Sequence, residues 1–257
     1  MTIAVVIPAY NEASTIADVV REAHRWVDRI VVVDDGSTDG TAAQLGGLPV
    51  RVLRHAQNTG KGASLWDGMR QARAHGASAV ITLDADGQHR PEDIPRLLAA
   101  AADHPDGMII AARLRHRERV PGARRFANAM ADFWISWAAG CAIADTQSGF
   151  RLYPAALIDG LAGVARRSSG FVFESEALIE AAARLGFRPV AVPVDALYPA
   201  DTRPSHYRPW ADTARIVRMV AGKLLTRGMY PQGLFRSLRH APQIAAIGDP
   251  APPSDRD

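Results

Sequence analysis

Through the first 112 residues, short runs of β-branched and apolar residues alternate with longer stretches of helical spacing. The runs at 2–7, 29–33, 50–54, 79–83 and 107–112 are short and almost continuously apolar, which predicts strands buried on both faces. Between them, 13–25, 40–46, 62–75 and 91–103 carry helical periodicity. Strand alternating with helix predicts an α/β fold with a mostly parallel central sheet and helices on both faces. Sheets of this kind bind ligands at the carboxyl ends of their strands.

The chemically suggestive residues fall at those ends. The first strand leads into Pro8-Ala9-Tyr10-Asn11-Glu12, and the second into Asp34-Asp35-Gly36-Ser37-Thr38-Asp39-Gly40. The third leads to Asn58-Thr59-Gly60-Lys61-Gly62, and the fourth to Asp84-Ala85-Asp86-Gly87-Gln88. Two carboxylates two residues apart, just past a buried strand, can hold one hard cation. Mg²⁺ and Mn²⁺ take oxygen ligands and are often completed by substrate phosphates. This predicts an enzyme acting on phosphorylated, nucleotide-activated substrates. Taken alone, an Asp-rich surface turn gives the same pattern, but four polar strand ends on one rim are hard to explain as four unrelated turns. Asp34, Ser37, Thr38 and Asp39 have an ordinary alternative role as turn and cap residues. Asn58, Gly60 and Gly62 read as shapers of a tight loop. Lys61 could meet a phosphate or solvent, and its glycines lack the spacing of a P-loop.

After residue 113 the alternation breaks. Arginines crowd the segment from Arg113 to Arg125, and a long helix is predicted over about 123–139. Asp145-Thr146-Gln147-Ser148-Gly149-Phe150-Arg151 follows, then a helix over 174–185 and a strand around 188–198. A last helix, 209–227, sets Ile216, Val217, Met219, Val220, Leu224 and Leu225 against Arg215, Arg218, Lys223 and Arg227. Basic amphipathic helices of this type lie on anionic membranes or pack onto their own domain. From 241 the composition of Pro, Ala and Asp predicts a disordered tail over 241–257. The expected organisation is one domain over 1–240, with a nucleotide half (1–112), an acceptor half (113–208) and the basic helical region (209–240).

Composition narrows the partners. Apolar residues at 47% and charged residues at 22% suffice for a real core. A net charge of +3 and a pI near 9.3 suit a phosphorylated ligand or an anionic surface better than nucleic acid. The single cysteine, Cys141, excludes a disulfide framework and a cysteine metal site. No basic leader precedes the first strand, so a cytoplasmic location is expected, with peripheral contact at the inner face of a membrane. The apolar stretch 133–144 is too short to span a bilayer.

Five stretches, in order, carry a resemblance: VVIPAYNE at 5–12, VVVDDGSTDGT at 31–41, NTGKGAS at 58–64, LDADGQH at 83–89 and DTQSGFRLY at 145–153. The chain resembles the family 2 glycosyltransferases with the GT-A fold. Within them it is most similar to synthases that move a sugar from a nucleotide onto a polyprenyl or dolichyl phosphate. The resemblance implies that Pro8, Tyr10, Glu12 and Asp35 line the nucleotide, with Asp84 between nucleotide and metal. It implies Asp86 and Gln88 as ligands of Mg²⁺ or Mn²⁺. It places an acceptor-phosphate arginine at Arg113, and an Arg-bearing loop over the donor at 201–207.

A phosphate acceptor needs a cationic cradle, which arginine supplies in bidentate fashion. Arg113, Arg124, Arg125, Arg151 and Arg203 are the candidates, with Ser148 in a tight turn beside them. Arg115, Arg117 and Arg119 read as a solvated basic face. A hydroxyl acceptor, as in polysaccharide or glycolipid assembly, would need a carboxylate base instead, and Asp145, Glu174 or Glu176 would serve. His89 and His206 read as loop residues. A non-enzymatic nucleotide-binding module is the remaining alternative; the order and spacing of the acidic motifs speak against a receiver-like domain.

Overall fold

A computed structural model describes residues 1–115, 122–165, 170–195 and 209–246. The chain begins β1 (Ile3–Ala9), α1 (Ile16–His24), β2 (Ile30–Asp34), α2 (Thr41–Gln44), β3 (Arg51–Arg54), α3 (Lys61–Ala74) and β4 (Ala79–Thr82). A 3₁₀ turn at Pro91–Asp93 leads into α4 (Ile94–Asp103), then β5 (Gly107–Ala112) and α5 (Gly122–Ala139). Next come β6 (Arg151–Pro154), α6 (Ala155–Gly160), α7 (Ala162–Ala165), α8 (Val172–Ala183) and β7 (Arg188–Pro193). The last elements are α9 (Pro209–Leu225), α10 (Pro231–Arg239) and β8 (Gln243–Ile244).

The described strands form one sheet in the order β3-β2-β1-β4-β6-β5-β7-β8. All pairings are parallel except those of β6, which runs antiparallel to both β4 and β5. The predicted parallel sheet is therefore present. β5 reaches β4 only through β6, so the sheet runs continuously across the expected boundary at 112.

Successive strand residues point to opposite faces, and both faces are apolar. Val5, Ile7, Val32, Ile81 and Ile109 pack with α1 and α4 through Ile16, Val20, Ile94 and Leu97. Val6, Val33, Val80, Met108 and Ile110 pack on the other side with Leu65 and Met69 of α3, Ile135 of α5 and Phe173 and Leu178 of α8. Gly68, midway along α3, lies so close to Val6 of β1 that a Cβ would overlap the valine methyls. This contact explains a residue that otherwise weakens a helix.

Two expectations for the C-terminal region are settled by packing. Val220 and Leu224 of α9 are buried in the core cluster, so this helix packs onto the domain. The tail predicted from 241 is a correction: Gln243 and Ile244 pair with Val190 and Ala191 of β7, and Ala245 is buried. Sequence reasoning missed β8 because two strand residues in a Pro- and Ala-rich context carry no periodicity. β7 is shorter than the predicted 188–198; positions 196–198 lie outside the described residues. No helix among the described residues is long and apolar enough to cross a membrane.

Candidate active site

The loops after β1 and β2 are tied into one wall. Asn11, at φ 57°, donates its N–H to Ser37 Oγ at 2.9 Å and accepts from the Thr38 N–H at 2.9 Å. The Glu12 N–H donates to Thr41 Oγ1 at 2.8 Å, and the Ala13 N–H to Asp39 Oδ2 at 3.0 Å. Asp34 is buried and accepts the Ser37 N–H at 2.9 Å. These residues thus play the turn roles that their types favour, while the N-cap of α2 is Gly40 with no side-chain hydrogen bond. They hold Tyr10 and Glu12, both partly buried, at the carboxyl end of β1. Pro8 lies inside β1, in register with Val33.

Asp35 organises the next loop. Its Oδ1 accepts from the Thr59 N–H at 2.9 Å and the Thr59 hydroxyl at 2.7 Å, and lies 2.7 Å from His55 Nδ1. Its Oδ2 accepts the Gly60 N–H at 2.8 Å. Burial pushes its pKa up, but these hydrogen bonds outweigh it and hold the carboxyl below its usual range. The expected contact of Asp35 with a base or ribose would have to displace or share one of these donors.

That loop delivers Lys61 to the first position of α3. A cation there opposes the helix dipole, so its placement calls for compensation. Lys61 Nζ lies 2.7 Å from Asp84 Oδ1 and 3.1 Å from Glu174 Oε2. Burial works against the ammonium, but the two carboxylates prevail and raise its pKa above the ordinary lysine value. The alternatives left open for Lys61, phosphate or solvent, are thus replaced in this structure by an ion-paired bridge between β4 and α8. No local sequence signal could have joined residues 61, 84 and 174.

The antiparallel pairing of β6 with β4 brings the 145–151 loop onto the same site. Thr82 Oγ1 donates to the Gly149 carbonyl at 2.7 Å. A Cβ on Gly149 would stand 2.8 and 3.0 Å from the Asp84 oxygens and 3.0 Å from Glu174 Oε1. Only glycine lets this backbone lie against both carboxylates. The expected tight turn is present, with the Ser148 N–H donating to the Asp145 carbonyl at 3.3 Å. The loop is pinned from α5 by Asp132, whose Oδ1 accepts the Thr146 N–H and hydroxyl, each at 2.8 Å.

Arg113 follows β5 and meets Asp145 in a fork. Its Nε and Nη2 donate to Oδ2 and Oδ1, each at 2.8 Å, and its N–H donates to Oδ2 at 2.7 Å. Burial would raise the Asp145 pKa, but Arg113 overrides it and lowers it. Arg151 is a correction. Its buried guanidinium donates to the carbonyls of Ser148 at 2.7 Å and of Glu174 and Thr146, each at 2.8 Å. It braces the loop from inside and is not presented to an acceptor. Arg125 is exposed on the first turns of α5. Arg203 and the Arg124 side chain lie outside the described residues. Glu176 pairs with Lys223 of α9 at 2.9 Å.

The aspartate pair is electrostatically uneven. Burial raises the Asp84 pKa, but Lys61 and then His89 and Arg113 bring it below its usual range. Asp86 moves up, from burial and from the Asp84 charge, although the Gln88 N–H donates to its Oδ1 at 3.0 Å. A cation beside Asp86 would remove that penalty. The expected donors, Asp86 and Gln88, would offer hard oxygens. Among the described residues no three His, Cys, Asp or Glu side chains converge as a complete cage. That donor set fits Mg²⁺ or Mn²⁺, which keep waters and take phosphate oxygens. His89 is buried with no hydrogen-bond partner on Nδ1, edge-on to Phe150, and burial pulls its pKa down to about 4.

Comparison with known proteins gives the family. The model of glycosyl transferase family 2 matches residues 4–150. The chain is 32% identical over 213 residues to the undecaprenyl-phosphate mannosyltransferase of Micrococcus luteus, covering 76% of this chain and 83% of that one. It is 31% identical over 201 residues to the polyprenol monophosphomannose synthase of Mycolicibacterium smegmatis, covering 74% and 75%. The crystal structure of glucosyl-3-phosphoglycerate synthase from Mycobacterium tuberculosis, in complex with Mn²⁺, UDP and glucosyl-3-phosphoglycerate, is similar with a TM-score of 0.63 at 26% identity. It covers 90% of this chain and 81% of that chain. The rim motifs, the mixed sheet and these likenesses converge: the chain belongs to glycosyl transferase family 2 and is a glycosyltransferase of the GT-A fold.

Proposed function

We propose that this glycosyltransferase moves a sugar from a UDP- or GDP-linked donor to a polyprenyl-phosphate-type lipid, with inversion at the anomeric carbon. One observation carries the choice of a phosphate acceptor. The three carboxylates that could serve a hydroxyl acceptor as base are each engaged by a cation: Asp145 by Arg113, Glu174 by Lys61 and Glu176 by Lys223. Asp145 is also held below its usual pKa, which makes it a weaker base still. A phosphate monoester needs no base. Its second pKa is about 6, so its oxygen is already anionic at neutral pH. The names of the relatives from Micrococcus and Mycolicibacterium point to the same acceptor class.

In this reading Tyr10 and Glu12 line the nucleotide, and Asp84, oriented by Lys61 and Gly149, faces the donor. Asp86 and Gln88 would hold Mg²⁺ or Mn²⁺, which neutralises charge on the departing diphosphate. Arg113, whose fork is held by Asp145, would receive the acceptor phosphate by exchanging part of that pairing. An acceptor phosphate oxygen bonds to the anomeric carbon as the bond from that carbon to the diphosphate oxygen breaks. The products are a glycosyl phosphodiester lipid and a nucleoside diphosphate, with no proton to remove.

The test is a transfer assay with labelled UDP- and GDP-sugars and Mn²⁺, offered a short polyprenyl phosphate or the matching polyprenol. Product from the phosphate alone is expected. Turnover with the polyprenol and none with the phosphate would overturn the reading.

A further inference from the structure

We propose that the outer faces of α5 and α10 form a docking surface for an anionic lipid bilayer. Phe126, Met130 and Trp134 recur at every fourth position of α5, so they share one side of the helix. Phe126 is 70% exposed and Trp134 39%. On α10, Phe235 at 61% and Leu238 at 67% exposed stand three residues apart on a face turned away from the core. Residues of this size and exposure, gathered on adjacent helices, mark a contact surface rather than scattered surface apolars.

The two helices are one structural piece. Trp134 stacks on Trp137 with ring centroids 5.2 Å apart. Trp137 Nε1 donates to the Met229 carbonyl at 3.0 Å, just ahead of α10. Gly233 lets α10 settle beside the Trp137 carbonyl, 2.9 Å from where a Cβ would stand. The apolar rows are thus fixed on a common base of Trp137 and Tyr230.

Charge selects the partner. From Thr213 to Ala246 the chain holds no Asp or Glu; Lys223 and Arg215 are paired with Glu176 and Asp212, while Arg236 and Arg239 lie on α10 itself. Arg239 lies 5.5 Å from the Phe235 ring centroid, which sets a cation beside the exposed aromatic ring. Apolar side chains flanked by arginines on α10, a helix without a carboxylate, with the one acidic residue of α5, Asp132, turned to the Thr146 loop, suit the boundary between headgroups and acyl chains. A protein partner would have to be strongly acidic and greasy at once. The surface also bears on the transfer site, since Asp132 of the same α5 pins the loop that carries Asp145. The inference rests on this surface and not on the acceptor assigned above.

The test is co-sedimentation of the full chain with vesicles of phosphatidylglycerol and phosphatidylcholine, or of phosphatidylcholine alone, with no polyprenyl lipid present. Binding to the anionic vesicles, weakened by salt, is expected. Phe235→Ser with Leu238→Ser should reduce affinity roughly tenfold or more, as should Phe126→Ser with Met130→Ser, each at an unchanged melting temperature. Because all four side chains are solvent-facing, the variants fold; if a pair does not, salt dependence of the wild type and the Arg236→Glu/Arg239→Glu variant still read the surface. Absence of wild-type binding, or binding indifferent to both apolar pairs, overturns the proposal. So does a wild-type dimer in light scattering that the same substitutions abolish, since the occupant would then be a second copy of the chain. Because no acceptor lipid is present, failure here leaves the transfer reaction untouched, and failure of the transfer assay leaves this surface untouched.

Discussion

Lys61 and Asp84 meet at 2.7 Å although one opens a helix and the other follows a strand, and Glu174 closes the bridge from a third element. The ammonium thus neutralises part of a carboxylate-rich site that the proposed donor diphosphate would also enter. Removing it leaves two largely enclosed carboxylates facing each other. Lys61→Met is expected to destabilise the protein by about 3 kcal/mol, the scale for breaking a buried pair from one side. Lys61→Arg should recover most of this. Urea unfolding at neutral pH measures both, and a Lys61→Met loss under about 1 kcal/mol would mean that solvent already screens the pair.

Gly149 should be intolerant of even one carbon. In Gly149→Ala the methyl group displaces the carboxylates of Asp84 and Glu174, and overpacking of this sort costs about 1–3 kcal/mol. The larger effect should be on Mn²⁺-dependent donor binding, because Asp84 is moved directly. Calorimetric titration with UDP- and GDP-sugars, beside a thermal melt, separates the two. Wild-type donor affinity in the alanine variant would show that Asp84 need not hold its present position.

His89 gives the site a pH signature. Burial holds its pKa at about 4 in the folded chain, against 6.5 when unfolded. The unfolded state takes up a proton that the native state refuses. The contribution of His89 is therefore complete above about pH 6.5 and is lost as pH falls toward 4, by on the order of 3 kcal/mol across the window. Asp86 acts with the opposite sign: its raised pKa favours the fold at low pH and disfavours it as pH rises. Comparing wild type with His89→Gln removes that common part to first order. The stability difference, wild type minus variant, should fall between pH 7 and 4; a flat difference would place the imidazole in contact with water.

Asp86→Ala should leave the core intact, since the carboxylate lies on the rim, and should abolish the metal-dependent part of donor binding. The expected thermal-shift result is a wild-type melting rise with nucleotide that requires Mn²⁺ or Mg²⁺, and no such requirement in the variant. An equal metal-dependent rise in the variant would move the metal away from Asp86 and Gln88.

Much of this was legible because the informative residues are local. Val5 to Ile7, Ile30 to Val33 and Ala79 to Ile81 announce buried parallel strands, and Asp84 and Asp86 lie where those strands end. What escaped is non-local. Arg151 reads as one more arginine for an anion, but burial between the Ser148 and Glu174 carbonyls gives it a bracing role. Asp35 reads as a ligand contact, yet it anchors the loop of Thr59 and Gly60. β6 is only Arg-Leu-Tyr-Pro, too short for periodicity and ending in a proline, which argues against a central strand. The Lys61–Glu174 contact depends on how α3 and α8 pack, which no spacing encodes.

The place of β6 also dictates an order of assembly. β4 and β5 are not neighbours; Arg151–Pro154 must slide between them before the sheet is continuous. A growing polypeptide that has emerged only as far as β5 carries its aspartate pair on a strand with an open edge and with no Gly149 or Glu174 beside it. Long-range strand insertion is slow and leaves edges exposed to other chains. The half-made protein thus keeps that edge open until residues 151–154 arrive, and its rim stays incomplete until Glu174 of α8 follows.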